Sequence, residues 1–136
     1  MNQVSGGCLC GQVRYECHGE AIMVSVCHCR HCQKQGGSSF SILAGYPREN
    51  VKISGVLSSY RDIGESGQTV MRQFCGHCGS PITSDASIMP AFLFIKAGTL
   101  DDPSWLQPTT HFYCDSKQPW VKIEEGVAQV ARNPTL

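Results

Sequence analysis

The chain has 136 residues, 41% of them hydrophobic and 16% charged, a composition that fits one globular domain, residues 1–136, with a sizeable core. Eleven Lys and Arg balance eleven Asp and Glu, so the formal net charge is zero. With no basic run to meet phosphates, nucleic-acid binding is not expected. No apolar run approaches the ~20 residues that span a bilayer, and Met1 to Gly7 has neither the basic nor the apolar region of a secretory signal, which points to the cytoplasm.

Short segments rich in β-branched and aromatic residues, bounded by Gly, Pro, Ser or Asp, recur along the chain. They predict strands over Gln12–Cys17, Ile22–Val26, Phe40–Gly45, Val51–Ile53, Leu57–Arg61, Thr69–Phe74 and Ala91–Ala97. Helical signal is confined to Arg30 to Gln35, with Gly36-Gly37 as its stop. Asp101 to Leu106 predicts one further turn. The fold class expected is mainly β with one short helix.

Seven of the nine cysteines fall into three clusters: Cys8-Leu9-Cys10, Cys27-His28-Cys29-Arg30-His31-Cys32 and Cys75-Gly76-His77-Cys78. Disulfides fit poorly. The number is odd, the C-x-C pairs are badly placed to bridge each other, and a reducing compartment is expected. Metal ligation fits well. A zinc site that only holds a fold takes four protein ligands, whereas a reactive one keeps three and leaves a position open. Seven cysteines thus point to two zinc ions of different character.

Cys75-Gly-His-Cys78-Gly79 reads as a zinc knuckle between strands, since Gly79-Ser80-Pro81 opposes the helix that follows a redox pair. Cys8 and Cys10, also followed by Gly, are its natural partners. Cys27, Cys29 and Cys32 are local to one another and can form a three-thiolate site. A second division gives Cys27 or Cys29 to the knuckle, and His28 or His31 is an available ligand; we expect both histidines to lie at the surface or to support ligands instead. Cys17 and Cys114 are expected to pack rather than to bind metal. His18, His77 and His111 are expected to be ordinary hydrogen-bonded residues. Trp105, Trp120, Phe92 and Phe94 are expected in the core, and Ser38 and Ser39 in an exposed turn.

Gly7-Cys8-x-Cys10-Gly11, Cys27-His28-Cys29-x-x-Cys32, Phe74-Cys75-x-x-Cys78-Gly79 and a late Trp120 preceded by His111 together resemble the glutathione-dependent formaldehyde-activating enzyme family. The resemblance covers nearly the whole chain. It implies a β-tent fold of antiparallel sheets. It also implies a structural zinc at Cys8, Cys10, Cys75 and Cys78, and a catalytic zinc at Cys27, Cys29 and Cys32. The activity implied is addition of formaldehyde to glutathione to give S-hydroxymethylglutathione, a carbon–sulfur lyase in the reverse sense, with a small thiol as partner. A soft three-thiolate zinc suits a substrate thiol in its open position.

Two other functions compete. His111-Phe112-Tyr113-Cys114-Asp115-Ser116 is similar to the active segment of B-type methionine sulfoxide reductases, in which Cys114 would be the nucleophile. A zinc-binding interaction module without catalysis is the other.

Overall fold

A computed structural model describes residues 3–132. Its elements in chain order are β1 (Gln3–Gly7), β2 (Arg14–His18), β3 (Met23–Cys27), α1 (Arg30–Gly36), β4 (Ser41–Pro47), β5 (Val51–Ser54), β6 (Leu57–Ile63), β7 (Thr69–Cys75), β8 (Pro81–Ala86), β9 (Phe92–Lys96), β10 (Thr110–Phe112) and β11 (Ala128–Gln129). Three single 3-10 turns interrupt them. All seven predicted strands are present with ends shifted by a few residues, and α1 stops where Gly37 adopts φ 66 and caps it. The predicted turn near Asp101 is closed by the Leu106 N–H donating to the Pro103 carbonyl.

The mainly β class with one short helix is as expected. Sequence patterning overlooked β1, β8, β10 and β11. Each lacks an alternating apolar run: β1 ends in Gly6-Gly7, β8 opens with proline and the last two are very short.

Two sheets result. β1, β2 and β5 form a small antiparallel sheet, and the other strands form a large one in the order β11-β10-β3-β4-β9-β8-β7-β6. The large sheet departs from the all-antiparallel expectation, because β10 runs parallel to both β3 and β11. Among the described residues no helix is long and apolar enough to cross a membrane.

Strand alternation gives the large sheet two different faces. Ala44, Tyr46, Ile82 and Ile95 join Tyr15 and Cys17 of the small sheet, with Val13, in one core. A bulge on β8 at Ile82, opposite Gln73 and Phe74 of β7, lets Ile82 and Thr83 both be buried. The opposite face is laid out by the pairing register. Arg72, Ser84, Phe94, Gly45 and Met23 form one row across β7, β8, β9, β4 and β3. Lys96, Leu43 and Ser25 form the next, and Ser41, Cys27 and Phe112 the third.

Gly45 is what allows Phe94 to lie flat in the first row. A Cβ at that position would stand 2.9 Å from Phe94 Cε1 and 3.6 Å from the Met23 carbonyl. Gly45→Ala should therefore cost about 1–3 kcal/mol, as overpacking does. Urea unfolding should show a lower midpoint with an unchanged slope.

Candidate metal centres and cavity

The structure gathers the seven cysteines into two groups. The sulfurs of Cys8, Cys10, Cys75 and Cys78 lie within 4.8 Å of one another, and so do those of Cys27, Cys29 and Cys32. The second division, with a cysteine of the trio serving the knuckle, is not the one adopted. His28 and His31 join neither group, and neither do Cys17 and Cys114.

The four-cysteine group is built from two similar turns. Gly11 and Gly79, each one residue past its cysteine pair, both take φ 83, and each donates its N–H to the carbonyl of the first cysteine, Cys8 and Cys75 respectively. Only a residue without Cβ enters that region at little cost. The turns meet where Leu9 N–H donates to Ser80 Oγ at 3.0 Å. Cys8 and Cys10 sulfurs are 3.5 Å apart, and Cys10 and Cys75 sulfurs 3.8 Å. The edge of a tetrahedron with ~2.3 Å zinc–sulfur bonds is about 3.8 Å, so this donor set fits that ion.

Its protonation pattern argues the same way. The Ser80 hydroxyl and backbone N–H lower Cys78 to about 5. Cys10 is raised to about 12, because burial and the sulfurs of Cys8, Cys78 and Cys75 outweigh the Gln12 N–H. Four thiolates this close cannot all ionise unless a cation sits among them.

The three-cysteine group sits at the end of β3 and the start of α1. Cys27 closes the strand and Cys29 caps the helix, its sulfur accepting the Cys32 N–H at 3.2 Å. His28 between them is fully buried and turned toward β10, where its Nε2 lies 2.8 Å from His111 Nδ1. Burial, and then His111, lower His28 to about 4, so it stays neutral. The Phe112 carbonyl accepts the His28 N–H, and Gln33 Nε2 donates to the His28 carbonyl. His28 therefore supports the ligand-bearing turn, as expected. His31 is part-exposed and bonds Asp62 at 2.8 Å.

Two buried cations face this trio, and sequence reasoning identified neither. Arg72 is 3% exposed, its Nη1 is 3.7 Å from Cys32 Sγ, and its Nε donates to Asp62 at 2.9 Å. Burial works against its charge, yet Cys32 and Asp62 hold its pKa above the ordinary value. Lys96 is nearly as buried and donates to Ser41 Oγ at 2.9 Å; burial lowers its pKa while Cys32 opposes the shift. Hydrogen bonds from Cys27 and Cys29, with the charges of Lys96 and Arg72 in support, hold Cys32 well below the usual thiol range. Cys27 is correspondingly raised by its neighbours.

The trio opens into a cavity of about 740 Å³ of atom-free space, its mouth included, on the large sheet's second face. Its wall is mostly apolar. Glu65 and Ser66, in the turn between β6 and β7, belong to its lining, and the Glu65 carboxylate accepts the Arg30 N–H at the first residue of α1. Tyr113 also lines it. It is buried against the cysteines and, at φ 56, is the single non-glycine residue with positive φ among the described residues. Burial, with Cys27 and Cys29 adding to it, pushes its hydroxyl up to about 12. The αL strain at Tyr113 is a structural signal that no sequence pattern carries.

Several expectations need correction or refinement. Trp120 is 69% and Trp105 40% exposed, so neither is a core residue; both follow proline-bearing segments that carry no sheet pairing. Phe94 is buried as expected, on the cavity wall, while Phe92 is only partly buried. Ser38 is exposed and neither it nor Ser39 lines the cavity. Cys17 is fully buried. Cys114 is half-buried, lies close to the His111 carbonyl at 3.4 Å, and has its pKa raised by burial, the reverse of an activated nucleophile.

Fold and site together define a small mainly-β protein with one closed four-cysteine centre and one three-cysteine centre that opens into a cavity. The sequence profile of the glutathione-dependent formaldehyde-activating enzyme family matches residues 3–116, and the chain belongs to that family. Proteins of Aspergillus flavus and Aspergillus oryzae, both provisionally named glutathione-dependent formaldehyde-activating enzymes, are each 26% identical to it over 106 residues. These matches take in 74% of this chain, which spans about half the length of those relatives (55%). A crystal structure of a Rhodobacter sphaeroides protein shares the fold, with a TM-score of 0.54 at 20% identity, covering 76% of this chain and 91% of its own.

The two centres should differ in what they contribute to folding. The four-cysteine group joins turns 65 residues apart in sequence, whereas the trio is local. Cys75→Ser should leave the chain largely unfolded, because metal binding there is coupled to folding. Cys32→Ser should lose one metal equivalent and keep a cooperative thermal transition. Metal analysis paired with calorimetric melting checks this, and equal damage from both would refute it.

Proposed function

We propose that the chain, acting as one unit, joins a thiol to an aldehyde, with glutathione and formaldehyde giving S-hydroxymethylglutathione. The carbon–sulfur lyase class describes the same reaction in reverse. The observation that carries this is the cysteine trio at a cavity, set against a second cysteine group that is closed. Family membership supports the choice of reactants. The three sulfurs within 4.8 Å of one another, facing two buried cations, are suited to a soft cation with a fourth position free. Zinc bound there would lower the pKa of a thiol entering that position. Zinc at Cys8, Cys10, Cys75 and Cys78 would hold the fold.

The chain's own residues then have distinct tasks. Arg72 and Lys96 offset the negative charge of three thiolates, which would otherwise repel an incoming thiolate. In the addition, the glutathione sulfur forms a bond to the carbonyl carbon. The π pair moves to oxygen, which takes up one proton. Tyr113, protonated at neutral pH, is the group we assign to meet that oxygen as hydrogen-bond donor. A cytoplasmic location, where glutathione is abundant, accords with unpaired cysteines throughout the described chain.

Glutathione binding should release a proton, since the thiol must lose it on ligation. Calorimetry in two buffers of different ionisation enthalpy should show that proton, and Cys29→Ser should abolish it. The hydroxyl analogue of glutathione should bind far more weakly. Absence of any glutathione heat with both metal sites loaded would overturn the assignment.

Tyr113→Phe should lower kcat about 10²-fold with little change in glutathione affinity. Exchange rates by NMR, beside the binding isotherm, separate the two effects. A Phe variant with undiminished kcat would remove Tyr113 from the reaction.

A further inference from the structure

The cavity above Cys27, Cys29 and Cys32 is far more apolar than either reactant in the proposed reaction. Met23, Leu43, Val70, Met89, Phe94 and Phe112 form its wall. Its charged lining residues are Arg72, already paired with Asp62 and Cys32, and Glu65, already holding the Arg30 N–H. Glutathione carries two carboxylates and an ammonium. Burying those against this wall without partners is prohibitive, so its peptide must stay at the mouth. Formaldehyde, for its part, has no carbon substituent to cover any of the apolar wall.

One polar atom inside the cavity lacks a partner. Ser84 is 6% exposed and its Oγ is fully buried with no hydrogen bond. A buried hydroxyl left unsatisfied is costly, and a ligand oxygen would satisfy it. Ser84 lies in the same row as Phe94, directly across from it on β9. An oxygen held there would leave a hydrocarbon chain, attached to the carbon that bears that oxygen, lying along Phe94.

From this combination we infer that the cavity takes an aldehyde with a short hydrocarbon substituent, as its thiol adduct, with Ser84 beside Tyr113 as a second partner of the adduct oxygen and the hydrocarbon against the apolar wall. This rests on the thiol–aldehyde reading and puts a larger aldehyde in place of formaldehyde as its preferred carbonyl reactant. The chemistry is unchanged: a carbon–sulfur bond forms, the carbonyl π bond breaks and oxygen gains one proton.

The test is calorimetric binding of S-methyl-, S-butyl- and S-hexylglutathione to the metal-loaded protein, with glutathione as control. Affinity should rise up to about fourfold per methylene as the tail enters the cavity. Ile88→Glu, a change at a cavity residue that is 44% exposed and so tolerant, should flatten that rise. In parallel, NMR exchange should give a higher kcat/KM for butanal than for formaldehyde, and Ser84→Ala should lower the butanal value. Glutathione binding with no chain-length gain, or a kcat/KM for formaldehyde above that for butanal, would overturn the inference and leave the parent reading standing. Failure of glutathione itself to bind would overturn that reading, and the inference with it.

Discussion

Three thiols held within 4.8 Å of one another on one short turn, from Cys27 to Cys32, set the terms for the rest of this structure. As thiolates they repel strongly, and the surrounding fold is arranged to make their charge tolerable. Arg72 and Lys96 come from β7 and β9, two strands of the same sheet, and both are buried on the face that carries the trio. A buried cation without a partner is destabilising, so each needs its own support. Asp62 supplies it for Arg72, and Ser41 takes a hydrogen bond from Lys96. Sheet register delivers all of these groups to one face, which is why an eight-stranded sheet underlies so small a site.

The two cysteine groups offer the same donor chemistry in different settings. In the first, two glycine-terminated turns close around four sulfurs beside the main core, and Cys8 and Cys75 are themselves core residues. In the second, the trio packs on Tyr113 and Phe112 and faces a cavity. A donor set of four suits a structural ion, and a set of three that faces a cavity suits a reactive ion. The His28–His111 pair ties the three-cysteine turn to β10, and the parallel pairing of β10 with β3 brings Phe112 and Tyr113 to the same place.

Much of this was legible from residue order. Cysteine spacing anticipated the partition into four and three, and glycines marked both knuckles and the end of α1. The strands with alternating apolar residues were found because one of their faces is buried in the core. What escaped was carried by tertiary register. Arg72 lies in a strand that reads as half-exposed, and Lys96 ends an apolar run as if reaching solvent; burial of either depends on a cluster that the chain supplies about forty to seventy residues away. Tyr113 is distinguished by its backbone angle alone. The two tryptophans are exposed despite their apolar character, because neither lies in a paired strand that would bury one face.

The central claim is that the three-cysteine centre holds a metal whose remaining position accepts the sulfur of glutathione. Zinc-edge X-ray absorption with the selenium analogue of glutathione tests it most directly, because selenium is distinguishable from every cysteine sulfur in the chain. The account predicts a zinc–selenium shell in the wild-type protein that is absent from Cys32→Ser, whose four-cysteine centre remains loaded. A zinc-only sulfur environment, unchanged by saturating analogue with both centres filled, would contradict it.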